Sequence, residues 1–184
     1  MAGFALGSIA AVPAAERPDL LGAAVAAFVE EHGLGTRIGV FAIDPAISET
    51  AATRDVYGLD PATLVNCVVV AGRREGTERV GACLVPSTKR ADVNGVVRRR
   101  LDVRKASFLP TDEAVARSGM EYGGITPIGL PPEWPILVDA DVVPQRMVLI
   151  GSGIRGSKLL VPGGLLADIP GAEVIEGLGR PTPG

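Results

Sequence analysis

The 184-residue chain is 47% hydrophobic and 21% charged, which suits one soluble domain with a proper core. Its formal net charge of −3 excludes a protein that coats nucleic acid through general basicity, though not one with a local basic face. Two cysteines and one histidine are too few for a disulfide framework or a zinc site, so no metal and no other cofactor is expected.

The N-terminal stretch MAGFALGSIAAVPAAERPDL is apolar, but it lacks a positively charged start and is broken by Gly7 and Pro13. It reads as a flexible appendage over residues 1–16 rather than a secretory signal. No later run approaches the ~18 apolar residues of a spanning helix, so a cytoplasmic protein with no membrane partner is expected. Residues 17–32 carry Leu20, Leu21, Ala24, Val25, Phe28 and Val29 at helical spacing, with Gly33 and Gly35 as terminators and His32 in the last turn. His32 is therefore a helix-end residue. TRIGVFAID follows as a strand. Residues 49–64 form two short helical pieces divided at Gly58, with Asp60 as the N-cap and Pro61 at the first helical position of the second.

VNCVVVA and RVGACLVP flank the polar GRREGTE and predict a hairpin. If it is symmetric about Glu75, Cys67 lies opposite Cys83. Period two then places both thiols on one face with Val65 and Val69, and Asn66 on the other with Val68 and Val70. Between Lys89 and Lys105 seven basic residues face Asp92 and Asp102, the only local charge excess in the chain. Val93, Val96, Val97 and Leu101 give this segment one apolar helical stripe, leaving Arg98, Arg99 and Arg100 to face solvent or a polyanion. KASFLP reads as a strand, and Thr111 opens a further helix with a capping pattern.

Residues 121–131, EYGGITPIGLP, contain three glycines and two prolines between that helix and the apolar strand WPILVDA. Glycine permits positive φ and close backbone approach, while Pro127 and Pro131 fix φ. The segment is a rigid loop whose free N–H groups could hold a carbonyl or an oxyanion, or a tight connection between core strands. RMVLIGSG and SKLLV form a strand pair around Ile154-Arg155-Gly156, PGGLLADIP supplies a short helix, AEVIEG follows, and the tail over 178–184 is disordered by composition. No phosphate-binding glycine loop, metal-binding helix motif or nucleophile elbow is present.

The order of these parts resembles the YbaK-like aminoacyl-tRNA deacylases, which include the editing domain of bacterial prolyl-tRNA synthetases. The residues that carry the resemblance are TAATRDVYGLDPATLVNCVVV, ADVNGVVRRRLDVRKAS, GGITPIGLP, PILVD and IGSGIRGSKL. The most specific is Gly-x-x-x-Pro, matched by Gly123 and Pro127 and followed by Ile128-Gly129. The resemblance implies a single α+β domain over residues 17–177, with a mixed, curved, barrel-like sheet surrounded by helices. It also implies hydrolysis, without cofactor, of the ester that joins a wrong amino acid to tRNA.

In such a protein Gly123 and Gly124 would hold the aminoacyl carbonyl. Ile125, Thr126, Pro127, Ile128, Gly129 and Val68 would line the substrate pocket, with Ser152, Gly153 and Arg155 beside it and Arg98, Arg99 and Arg100 on the tRNA backbone. The partner would be the aminoacylated 3′ end of tRNA, and the resemblance also allows a synthetase; oligomeric state is not legible. Active members of the family carry lysine where this chain has Asn66. Three arrangements are open: Asn66 polarises the site itself, Arg155 or Lys158 supplies the charge, or the protein binds without hydrolysing. A hydrolase for an ester other than aminoacyl-tRNA is a further reading.

Overall fold

The structure, a computed structural model, describes residues 3–182. Met1 and Ala2 of the expected N-terminal appendage, and Pro183 and Gly184 of the expected tail, lie outside the described residues. The rest of the appendage is not loose. Phe4–Leu6 (β1) and Ile9–Pro13 (β2) form an antiparallel hairpin, and β2 pairs with Gly39–Ala42 (β3). Phe4 and Ile9 pack into an apolar cluster with Leu59, Leu64, Leu149 and Leu160, so the interrupted hydrophobic run is two short strands anchored by burial.

Pro18–Leu20 makes a single 3₁₀ turn before Ala23–Glu31 (α1), whose Val25 and Val29 are buried in the main core. His32 caps its C-terminus, with the ring stacked on Phe28 at a centroid separation of 3.9 Å. Thr50–Tyr57 (α2) ends at Gly58, and the Asp60 side chain then accepts from the Ala62 N–H at 2.9 Å to cap the next turn. Both boundaries are as the sequence predicts.

Val65–Arg74 (β4) and Thr77–Pro86 (β5) run on through the polar segment expected to connect them, joined only by Glu75 and Gly76. Both turn residues have positive φ, 51° and 80°, the geometry that matches strand twist in a two-residue hairpin. The register therefore differs by one residue from the symmetric expectation: Cys67 is opposite Leu84, and Cys83 is opposite Val68. A one-residue slip reverses faces. Cys67 packs with Val65 and Val69 against the main core, while Cys83 joins Val68 and Val70 on the other side of the sheet.

Lys89–Ala91 (β6) leads through a π-helical turn, Val93–Val97, into Arg98–Arg100 (α3). The expected apolar stripe is present in Val93, Val96, Val97 and Leu101, which pack on the outer face of the β4–β5 sheet. Lys105–Phe108 (β7) follows, then Thr111–Ser118 (α4), where Thr111 lies inside the helix and makes no capping bond. Ile136–Asp139 (β8), Val148–Gly151 (β9), Ser157–Val161 (β10), Gly163–Ala167 (α5), Ala172–Ile175 (β11) and Gly179–Pro181 (β12) complete the chain.

The strands form two five-stranded sheets, β1-β2-β3-β10-β9 and β11-β8-β5-β4-β7, plus the pair β12-β6. β8 runs parallel to both β5 and β11, and the other strand ladders are antiparallel. A parallel bridge between Leu64 and Leu149 joins the sheets at one edge, curling them round a core that includes Ile38, Val69, Leu84, Ile128, Ile150 and Leu159. This is the α+β, mixed and barrel-like arrangement that the resemblance implied.

The tail is ordered through Pro181, against expectation. Leu178 is fully buried, and the buried Asp139 carboxylate accepts from the Gly179 N–H at 2.8 Å while pairing with Lys89 Nζ at 2.9 Å. No described helix is long and apolar enough to cross a membrane.

Candidate active site

Where the two sheets meet at Leu64 and Leu149, the surface opens into a cleft of about 430 Å³. Its walls are the first half of β4, the ends of β7 and β9, Lys158 of β10 and the first turns of α2 and α4, and Tyr122, Gly123 and Ile125 overhang it. Val65, Val68, Val69 and Leu149 supply much of the apolar surface; Ser48, Glu49, Thr50, Asn66 and Lys158 are among the polar groups. Few, convergent polar groups on an apolar wall are the usual composition of a small-ligand site.

The glycine-rich loop is held by the β9–β10 connection. Glu121 N–H donates to Gly153 O at 2.9 Å, Gly153 N–H to Gly124 O at 2.8 Å and Arg155 N–H to the Glu121 carboxylate at 2.7 Å. A side chain at Gly124 would meet the backbone of Ile154 at 2.7 Å, so this locking needs glycine there. Gly123 has φ +79°, a left-handed conformation that turns the chain over the cleft. Gly124 spends its N–H on Glu121 O at 2.9 Å. It shapes the loop and is not a free donor. The N–H groups of Gly123 and Ile125 have no protein acceptor among the described residues, and both residues line the cleft.

The remaining predicted residues separate by role. Val68 lines the cleft, whereas Ile128 is fully buried in the core and Thr126 is buried with its hydroxyl unpartnered. Pro127 and Gly129 are likewise away from the cleft lining, and Gly129 packs against the backbone of α1 at Ala24 and Val25. Ser152 is buried and tied to Ser157 Oγ at 2.6 Å, so it and Gly153 hold the loop rather than face a ligand. Arg155 sits at the rim. Its guanidinium donates to Pro45 O and to Glu49 at 3.2 Å and lies 5.3 Å from the Tyr122 ring centre. Arg98, Arg99 and Arg100 are exposed on α3 and do not line the cleft; Arg100 is paired with Glu173.

Asn66 is in the cleft, where its side-chain oxygen accepts from Thr50 Oγ1 at 2.9 Å. Several cleft residues escaped sequence reasoning as site candidates, Ser48 and Phe108 among them. Ser48 is 3% exposed with no partner for its hydroxyl, and Phe108 stands half exposed at the rim. Neither carries a sequence signal, because a serine before a helix and an aromatic at a strand end are ordinary. Lys158 is different: a lysine inside the buried strand SKLLV is unusual. Its Nζ donates to Gly123 O at 2.8 Å, and burial pulls its pKa down to about 8, with Glu49 opposing and Arg155 adding to the shift. Among the described residues no three His, Cys, Asp or Glu side chains gather as metal ligands would.

The family profile described as "aminoacyl-tRNA editing domain" matches residues 44–169, a span that contains every residue of the cleft. The chain belongs to the aminoacyl-tRNA editing domain family. Solved structures agree in fold. The hypothetical protein APE2540 overlays with a TM-score of 0.73 at 20% identity, over 85% of this chain and 99% of its own. A candidate trans-editing enzyme for prolyl tRNA synthetase overlays with a TM-score of 0.72 at 20% identity, over 92% of this chain and 98% of its own. No curated protein matches the editing-domain chain in sequence.

Proposed function

We propose that this editing domain is a deacylase acting in trans, hydrolysing the ester that joins a mischarged amino acid to the 3′ end of tRNA. The observation that carries the reading is the pair of unpartnered N–H groups, Gly123 and Ile125, on a loop clamped over an apolar cleft within the matched domain. Fixed backbone donors of this kind stabilise the oxygen of an ester carbonyl as water adds to its carbon, and they need no reorganisation when the charge develops. The apolar wall of Val65, Val68, Val69 and Leu149 would receive the amino-acid side chain. A single methylene in such a pocket discriminates by only about 1–3 kcal/mol, so the domain would select a size class.

The test is deacylation of a panel of correctly and incorrectly charged tRNAs by purified protein. Release of one or a few amino acids is expected. Gly123→Ala should lower kcat about 100-fold, because a side chain there meets Arg155 Nη1 at 2.7 Å and the backbone is left-handed. Neutralising Arg98, Arg99 and Arg100 together should raise KM and flatten its salt dependence with little change in kcat. No release across the panel with salt-sensitive tRNA binding intact would leave a binding module, and absence of both would overturn the tRNA reading.

A further inference from the structure

Lys158 is 6% exposed on a strand whose neighbours Ser157 and Leu159 are also buried. An ammonium in that position has lost most of its hydration, which is costly unless a counter-charge answers it. Among the described residues no carboxylate does so in direct contact, and Glu49 opposes the cost only from beyond ion-pair distance. Lys158 makes no ion pair within 4.0 Å, and the nearby Glu49 carboxylate is engaged by Arg155 at 3.2 Å. Its one protein bond runs to Gly123 O at 2.8 Å, and an ammonium has three protons to donate. The others are left for the cleft that Lys158 lines.

No other cleft-lining group offers a positive charge, and the one carboxylate there, Glu49, is engaged by Arg155. Asn66 is neutral and tied to Thr50. Arg155 is absent from the lining, with its guanidinium on Pro45, Glu49 and Tyr122. Ser48, buried, lining the cleft and without a partner, is a second sign that a polar ligand completes this wall.

We propose that Lys158 is a catalytic residue, the cation of this site: its ammonium binds the ester carbonyl oxygen together with the Gly123 and Ile125 N–H groups. The proposal rests on the deacylase reading. Water adds its oxygen to the carbonyl carbon and gives up a proton to neighbouring solvent water, which returns one to the leaving ribose oxygen. The carbonyl oxygen takes negative charge beside Lys158; the bond from carbon to the ribose oxygen then breaks, and that oxygen leaves as a hydroxyl with a proton. The amino acid departs as the free acid. Nothing is oxidised or reduced, and the lysine ends the cycle as it began. The bond from Lys158 to Gly123 O has a second use, since it ties the cation to the same loop that carries the backbone donors.

The experiment compares wild type, Lys158→Met and Lys158→Arg on an aminoacyl-tRNA that the wild type hydrolyses, between pH 6 and about 9.5. The groups that face Lys158 in the cleft are Glu49 ahead of α2, Cys67 on β4 and Tyr122 on the loop, with Arg155 at the rim. Lys158→Met should keep its fold, lose about 100-fold in kcat and change KM by less than about threefold. Lys158→Arg should keep at least about a tenth of kcat, because the cation remains. The wild-type rate, corrected for spontaneous hydrolysis, should fall as pH rises through about 8, and Lys158→Arg should lack that fall.

A Lys158→Met kcat within about threefold of wild type would overturn the proposal. So would a fall near pH 8 that persists in Lys158→Arg, which would leave Lys158 a latch for the loop. Should Lys158→Met fail to fold, the pH profiles of the other two proteins decide. Failure of the wild type on every charged tRNA is a different result, and it overturns the deacylase reading itself.

Discussion

Lys158 and Asn66 stand on different strands of the cleft, and their environments treat them differently. Asn66 is a neutral amide satisfied in part by Thr50, so the fold bears little cost for it. Lys158 is charged and desolvated, with its pKa lowered from 10.5 to about 8 by burial. The sign of the linkage follows. Between those two values the unfolded chain binds more protons than the folded one, so stability must rise with pH across that window and be lowest below it. Urea unfolding at pH 7 and at pH 10 should therefore show wild type gaining on Lys158→Met as pH rises, with the methionine variant the more stable at pH 7. Parallel curves would mean that the lysine is solvated. The cysteines give the complementary case: burial raises both thiols, Cys83 to about 12, which keeps them protonated and unreactive.

The loop and the hairpin show how elements convert such residues into a site. Residues 121–124 are not rigid because they contain glycine; they are rigid because the β9–β10 connection closes a ring of backbone hydrogen bonds on them. Gly124→Ala should break that ring, since its Cβ would stand 2.7 Å from the Ile154 backbone. A loss of about 1–3 kcal/mol in stability is expected, with at least a tenfold loss of kcat as the Gly123 and Ile125 donors move. Gly156→Ala, on the same connection with nothing within 4 Å of the added carbon, should fall within about 0.5 kcal/mol of wild type. Thermal melts and deacylation assays on the pair check this, and equal behaviour of the two variants would refute the account. In the hairpin, the two-residue turn decides the faces. The composition of GRREGTE marks a reversal, but only the positive φ at Glu75 and Gly76 fixes the register that sends Cys67 and Cys83 to opposite sides.

Over the whole molecule, several charges that lie close together in sequence find partners far away. The basic segment 89–105 is answered only in part: Lys89 pairs with Asp139 and Asp141 and Arg100 with Glu173, while Arg90, Arg98, Arg99, Arg104 and Lys105 make no ion pair among the described residues. Asp92 and Asp102 in turn hold Arg180, Arg74 and Arg79. Asp139 is the buried member of this set, holding Lys89 and the Gly179 N–H with its two oxygens. Asp139→Ala would leave the Lys89 ammonium with Asp141 as its one carboxylate and take from β12 the bond to the Gly179 N–H. A loss of roughly 1–3 kcal/mol is expected, measured by denaturant unfolding, with earlier proteolysis at the C-terminal end. A loss under about 1 kcal/mol would show that β12 is held without Asp139, by Leu178 and by its ladder with β6.

Local chemistry alone determined much of this protein. Helical periodicity set α1 and the Val93–Leu101 stripe, Gly58 and Asp60 set their turn, and Gly123 with Pro127 marked the loop, because each depends on a few adjacent residues. Tertiary structure alone decided the rest. The N-terminal strands and β12 are short and become ordered only against partners distant in sequence. Gly124 resembles Gly123 in sequence, yet its N–H is spent within the loop. Lys158 becomes the cation lining the cleft because β10 crosses beneath residue 123, thirty-five positions earlier in the chain. Which groups meet is a property of the curled sheets, and no window of sequence contains both sides of that contact.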